Sequence, residues 1–201
     1  MLPAFAEAVR ATTQPCTLLL LVPPLMMAVI TRGRWAPFAA MGIGAVLGGW
    51  LFIANVVALS PAQLQLGGLL VAAATGLTVA APTVPQLAWA STPNAETGAA
   101  GGVAFVATLW WRPCVGVELG SILTAARSGV VGQLGGITAY MLGALVPVLA
   151  AVLVIRAIDP SATAARRASW VAGGIGMASA GALLIGRHDD LVGALTRWST
   201  S

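Results

Sequence analysis

The chain has 201 residues, of which 58% are hydrophobic and 8% charged, and its mean hydropathy is +0.91. A soluble domain carries roughly 25% charged residues, so this chain cannot cover a water-facing surface; an ordinary soluble domain and a disordered chain are both excluded. The net charge of +4 rests on ten Arg against six acids, with no Lys. Those charges are scattered, so there is no basic stripe to hold nucleic acid.

A membrane span needs about 20 apolar residues to cross roughly 30 Å of hydrocarbon. The gaps between charges supply such lengths. Residues 11–31 lie between Arg10 and Arg32, and a long uncharged stretch runs from Arg34 to Glu96. The run Ser60-Pro61-Ala62-Gln63-Leu64-Gln65 reads as a turn that divides this stretch. A fourth segment, interrupted by Arg112 and Glu118, reaches Arg127, and two more follow up to Arg156 and Arg187. The expected fold is all-α, a polytopic membrane protein of six transmembrane helices near 11–31, 36–59, 65–82, 102–126, 133–155 and 168–186. The first segment is not read as a signal peptide. Glu7 and Arg10 leave its start without net positive charge, and Pro23-Pro24 interrupt its apolar run.

The two halves are alike. Pro15-Cys16 opens the first span and Pro113-Cys114 lies in the fourth. The third and sixth spans each carry a Gly-Gly pair, Gly67-Gly68 and Gly173-Gly174, before an apolar run. Two copies of a three-helix unit take opposite orientations because three is odd, the layout of inverted-repeat transporters. The expected division is one membrane domain over 1–201, with repeat one in 1–82, a Pro-rich linker in 83–101 and repeat two in 102–201. Glycine pairs also serve simple close packing, but the Pro-Cys duplication uses both cysteines of the chain.

Proline removes a backbone donor and disturbs the preceding turn. A cysteine just behind such a break sits at a helix N-terminus, where the dipole favours thiolate. If the pseudo-two-fold axis brings spans one and four together, Cys16 and Cys114 meet, and a disulfide then requires Cα atoms about 4.4–6.8 Å apart. The competing reading is that each thiol is a small hydrophobe of the core.

Residues 110–123, WWRPCVGVELGSIL, resemble the fourth-helix motif of the CcdA family, which is related to the transmembrane domain of DsbD. Trp111, Pro113, Cys114, Gly116, Gly120, Ile122 and Leu123 match it. Residues 138–153, TAYMLGALVPVLAAVL, look like the fifth helix of that family, and residues 12–25, TTQPCTLLLLVPPL, are similar to its first. Where the family has proline three residues after each cysteine, this chain has Leu19 and Val117. The resemblance implies a carrier of reducing equivalents across the bacterial inner (cytoplasmic) membrane. Cytoplasmic thioredoxin would reduce a buried cysteine pair, Cys16 and Cys114. The pair would in turn reduce an extracytoplasmic thioredoxin-like protein, in support of cytochrome c maturation or disulfide reduction. Pro15 and Pro113 would bend their helices so that each thiol faces either side. The redox disulfide is then the only cofactor.

Arg112 and Glu118 are charges inside a span, which by default mark function. Glu118 is one helical turn beyond Cys114 and shares its face; Arg112 precedes the Pro-Cys pair. They are read as an electrostatic support for the Cys114 thiolate and its proton, or as a snorkelling pair with a structural role. His188, Asp189 and Asp190 read as a solvated helix end, and Tyr140 and Asn55 as packing residues. With the N-terminus outside, five Arg (32, 34, 156, 166, 167) face the cytoplasm and four face outward. The alternative function is transport of a soft metal ion or small solute, with the two thiolates as ligands.

Overall fold

The computed structural model describes residues 2–12, 15–53, 60–109 and 130–187, with Asp190, Ala194 and Arg197 as single positions. Among them there is helix and no strand. The helices are α1 (Leu2–Ala11), α2 (Pro15–Ile30), α3 (Trp35–Ile53), α4 (Pro61–Ala80), α5 (Pro93–Leu109), α6 (Val130–Ala144), α7 (Val146–Ile158) and α8 (Ala162–Leu184). A 3₁₀ turn, Pro85–Ser91, joins α4 to α5.

The helix starts follow from local chemistry. Ser60 accepts a hydrogen bond from the Gln63 amide, and Gln63 Oε1 accepts one from the Ser60 amide at 2.8 Å, a reciprocal capping box with Pro61 at the first helical position. Thr92 accepts from the Ala95 amide at 3.3 Å, again with proline next, and Glu96 stands in the first turn of α5. The Pro-rich stretch expected to be a linker over 83–101 is therefore half helix: α5 begins at Pro93. Between α7 and α8, Asp159 adopts φ 43° and Pro160 follows, which ends one helix before Ser161 opens the next.

Among the described residues, two helical segments, Trp35–Phe52 and Leu134–Ile158, are long and apolar enough to cross a membrane. The second runs through α6 and α7, which meet at Leu145, with Pro147 in the first turn of α7. A third crossing is available if Gln65–Ala80 and Pro85–Ser91, bent by 112°, act as one span. Only 33% of each of the first two segments is buried inside the molecule. The outer surface is accordingly apolar: Ile43, Leu66, Leu69, Leu70, Val154 and Val171 are all exposed. An apolar surface on this scale marks contact with a membrane or partner. Near the N-terminal end, α2 contributes a shorter apolar stretch, Leu21–Ile30. In α8, 23 residues long, Arg166-Arg167 and many Ala, Gly and Ser lower the hydropathy, and it does not reach the same level.

The packing is dominated by small residues. The largest contact is between α3 and α5. A Cβ on Gly44 would collide with the Gly101 carbonyl oxygen, and one on Gly48 would stand 2.8 Å from the Phe105 oxygen. This is the small-xxx-small spacing that lets two membrane helices touch backbone to backbone. α4 packs on α8, where Gly173 faces Val79 and Gly176 faces Thr75. α2 touches α5, α7 and α8; α3 also touches α6. α1, which charge spacing does not mark as an element, lies against α6 with Ala8 and Ala11 buried and its backbone tight on Gly143.

Buried hydroxyls are satisfied within their own helices. Thr31 donates to the Met27 oxygen at 2.8 Å, Thr75 to Val71 at 2.7 Å, Thr78 to Ala74 at 2.6 Å and Thr108 to Ala104 at 2.8 Å. Tyr140, as expected of a packing residue, is fully buried.

The α3–α5 crossing makes a prediction. Gly44→Leu should lower stability by roughly 1–3 kcal/mol or more, because the added side chain meets backbone rather than a movable group. Gly42→Ala, with open space around its Cβ, should be neutral or stabilise by up to ~1 kcal/mol. Thermal unfolding in detergent compares the two; equal effects would contradict the close crossing.

Candidate functional site

The sequence-derived site divides between described and undescribed residues. Pro15 and Cys16 are the first two residues of α2, so the backbone of Cys16 occupies a helix N-terminus, as the Pro-Cys pattern predicts. The other members, Arg112, Pro113, Cys114, Gly116 and Glu118, lie outside the described residues, as do Val117, Asn55, His188 and Asp189, and Leu19 falls within α2. Asp190 is exposed.

What the structure fixes is the packing of α2 against the C-terminal part of α5. A narrow slot of ≈ 10 Å³ is lined by Leu21 and Pro24 from α2, Ala104, Ala107 and Thr108 from α5, and Met141, Ala144 and Leu145 around the α6–α7 junction. Leu21 is five residues beyond Cys16, and Thr108 is six residues before Cys114. The middle of α2 therefore meets the end of α5, and because Arg34 beyond α2 pairs with Glu96 in the first turn of α5, the two helices run antiparallel. Five helical residues advance about 7.5 Å, and six residues reach ~21 Å even when fully extended. Leu145 falls near the middle of the 25-residue span Leu134–Ile158. The slot is therefore level with the midpoint of that segment. Its lining is apolar, and its volume is at the margin of what one water needs.

Pro23 and Pro24 stand inside α2, two turns beyond Cys16. Neither has an N–H to give, so the carbonyls one turn earlier receive no helical hydrogen bond from them. Both are buried, and Pro24 faces the slot.

The far ends of these helices are tied by charge. Arg34, between α2 and α3, forms an ion pair with Glu96 in the first turn of α5, and its Nε donates to the Thr31 oxygen at 3.2 Å. The same turn rests on the end of α7. Gly33, at φ +64°, leaves no room for a side chain: a Cβ there would lie 2.9 Å from the Val152 oxygen and 3.3 Å from Arg156 Cγ. Arg156 stands over the Trp35 ring at 5.5 Å from its centroid. Connectivity brings Arg166 and Arg167 of α8 to this end as well. The five arginines that the sequence assigns to one side thus gather at one end of the bundle, with Glu96 and Asp159.

Compared with protein-family models, with curated proteins and with solved structures, the chain finds no match in any of the three. The arrangement is therefore read from its own geometry: an all-helical protein with two, or up to three, described segments long and apolar enough to cross a membrane.

The Arg34–Glu96 pair should respond asymmetrically to mutation. Glu96 is only 14% exposed, against 43% for Arg34. Arg34→Ala strands a largely buried carboxylate and should cost about 1–3 kcal/mol. Glu96→Gln leaves an arginine that reaches water and should cost less than ~1 kcal/mol. Thermal unfolding of the two single variants checks the order; the reverse order would contradict this burial pattern.

Proposed function

We propose that this protein carries reducing equivalents across a membrane by thiol–disulfide exchange, with Cys16 and Cys114 as the redox pair. The observation that carries the reading is the slot, where the helix that begins at Pro15-Cys16 meets the helix that leads to Pro113-Cys114. A carrier that serves both faces needs its reactive pair near the midplane at the interface of its halves. The helix contacts support six spans in two inverted repeats: α3 on α5 mirrors α2 on α7, and α2 on α8 mirrors α4 on α5. In the same scheme α4 on α8, α2 on α5 and α3 on α6 are self-paired.

The cycle needs no other group. A thiolate of cytoplasmic thioredoxin attacks the Cys16–Cys114 disulfide, and a mixed disulfide forms as one cysteine of the pair leaves as thiolate. The second thiol of thioredoxin resolves it, leaving thioredoxin oxidised and the pair reduced by two electrons. The pair then attacks the disulfide of an extracytoplasmic thioredoxin-like protein and returns to its oxidised state. Cys16 at the start of α2 gains thiolate stability from the helix dipole. Arg112 and Glu118 are assigned to the Cys114 side as charge and proton partners, and Gly116 to close passage of backbone. Pro23-Pro24, together with Pro15 and Pro113, supply the bends by which the pair turns from one face to the other. The arginine-rich end faces the cytoplasm, which places the N-terminus outside, in a bacterial inner membrane.

The test is thiol alkylation on membranes with a bulky maleimide. Wild type should resist labelling before reduction and take two labels after it. Each single variant, Cys16→Ser or Cys114→Ser, should take one label without reductant, lose transfer and trap a partner as a mixed disulfide. Free labelling of both thiols under every redox condition, or transfer retained in the serine variants, would remove this reading and favour thiolate ligation of a soft metal or inert packing.

A further inference from the structure

The face of α3 away from α5 carries an open apolar groove of ≈ 420 Å³. Its floor comes from Phe38, Gly42, Val46 and Trp50 of α3 and from Leu142 and Leu145 at the α6–α7 junction. Gly42 supplies the concavity: a Cβ there would meet nothing within 4 Å. One end is closed by the Trp50 Nε1 hydrogen bond to Thr138 Oγ1 at 3.0 Å. From Phe38 to Trp50 the groove runs about 18 Å along the helix, close to one leaflet of a hydrocarbon core ~30 Å thick.

The other end carries charge. Phe38 meets Trp35 edge to face with centroids 6.0 Å apart, and Arg156 lies over the Trp35 ring. Arg156 makes no ion pair with an acidic side chain among the described residues, and neither does exposed Arg32, whose neighbour Gly33 packs on Arg156. Arg34 is already matched by Glu96. Five arginines against two acids leave this end positive. An exposed tryptophan beside it, Trp35, marks the headgroup level.

We infer that the groove seats one anionic phospholipid of the bilayer, with an acyl chain along Phe38–Trp50 and the headgroup phosphate on Arg156 and Arg32. Apolar length, lipid exposure and unmatched cations at one end converge on this ligand; basic pockets beside transmembrane helices hold anionic headgroups in this way. The seat is independent of the cysteine pair.

The experiment is native mass spectrometry of the full chain released from nanodiscs of equal phosphatidylglycerol and phosphatidylcholine. One phosphatidylglycerol should remain bound several-fold more often than phosphatidylcholine. Arg156→Gln should lower that preference at least threefold. Gly42→Leu should fill the groove and abolish retention, whereas Gly174→Leu, equally open but on α8, should retain it with the same unfolding temperature. Equal retention of both lipids, or unchanged phosphatidylglycerol retention in Gly42→Leu, overturns the inference. Cysteine alkylation is read separately, so loss of the lipid seat and loss of the redox pair give different results.

Discussion

Where α3 crosses α5, Gly44, Gly48 and Gly101 bring two backbones together with no side chain between them. In lipid there is little hydrophobic drive for helices to associate, so close dispersion contact and shape must do it. This crossing fixes α5 against α3. Through α5 it sets the slot shared with α2 and the α6–α7 junction. The ion pair from Arg34 to Glu96 anchors the same two helices at their arginine-rich end.

The fold is a compromise between an apolar exterior and the backbone's need for partners. Helices meet the second demand within each segment. Deviations are placed where something compensates them. Ser60 and Thr92 cap helix starts, Asp159 turns the chain in a left-handed conformation, and Gly33 lets a turn lie on the α7 backbone. The prolines within α2 are the exception. They sit in the middle of a helix and are buried, and Pro24 borders the slot between α2, α5 and the α6–α7 junction. Broken hydrogen bonding and burial therefore coincide in the middle of α2.

Charge spacing in the sequence anticipates most of the helices, because an arginine or acid at a helix end is cheap and one in the middle is not. The segments near 11–31, 36–59, 65–82 and 133–155 correspond to α2, α3, α4 and the α6–α7 run. The beginning of α5 was hidden by its prolines, although Thr92, Pro93 and Glu96 together spell a helix start. α1 was hidden because it is short and its buried face is alanine, which carries no strong apolar signal. Of the candidate site, the position of Cys16 at a helix N-terminus was legible from Pro15. The slot was not, since it depends on Leu21, Ala107 and Leu145, three unremarkable apolar residues far apart in the chain. Depth in a membrane is a property of the assembled bundle, and no local pattern encodes it.

The four buried threonines among the described residues bear on how polar the interior is. Each hydroxyl is spent on a carbonyl of its own helix, so along these residues the interior offers no file of free donors and acceptors. A file of that kind is what water and protons need in order to hop. Around the apolar slot, these four side chains add no such file.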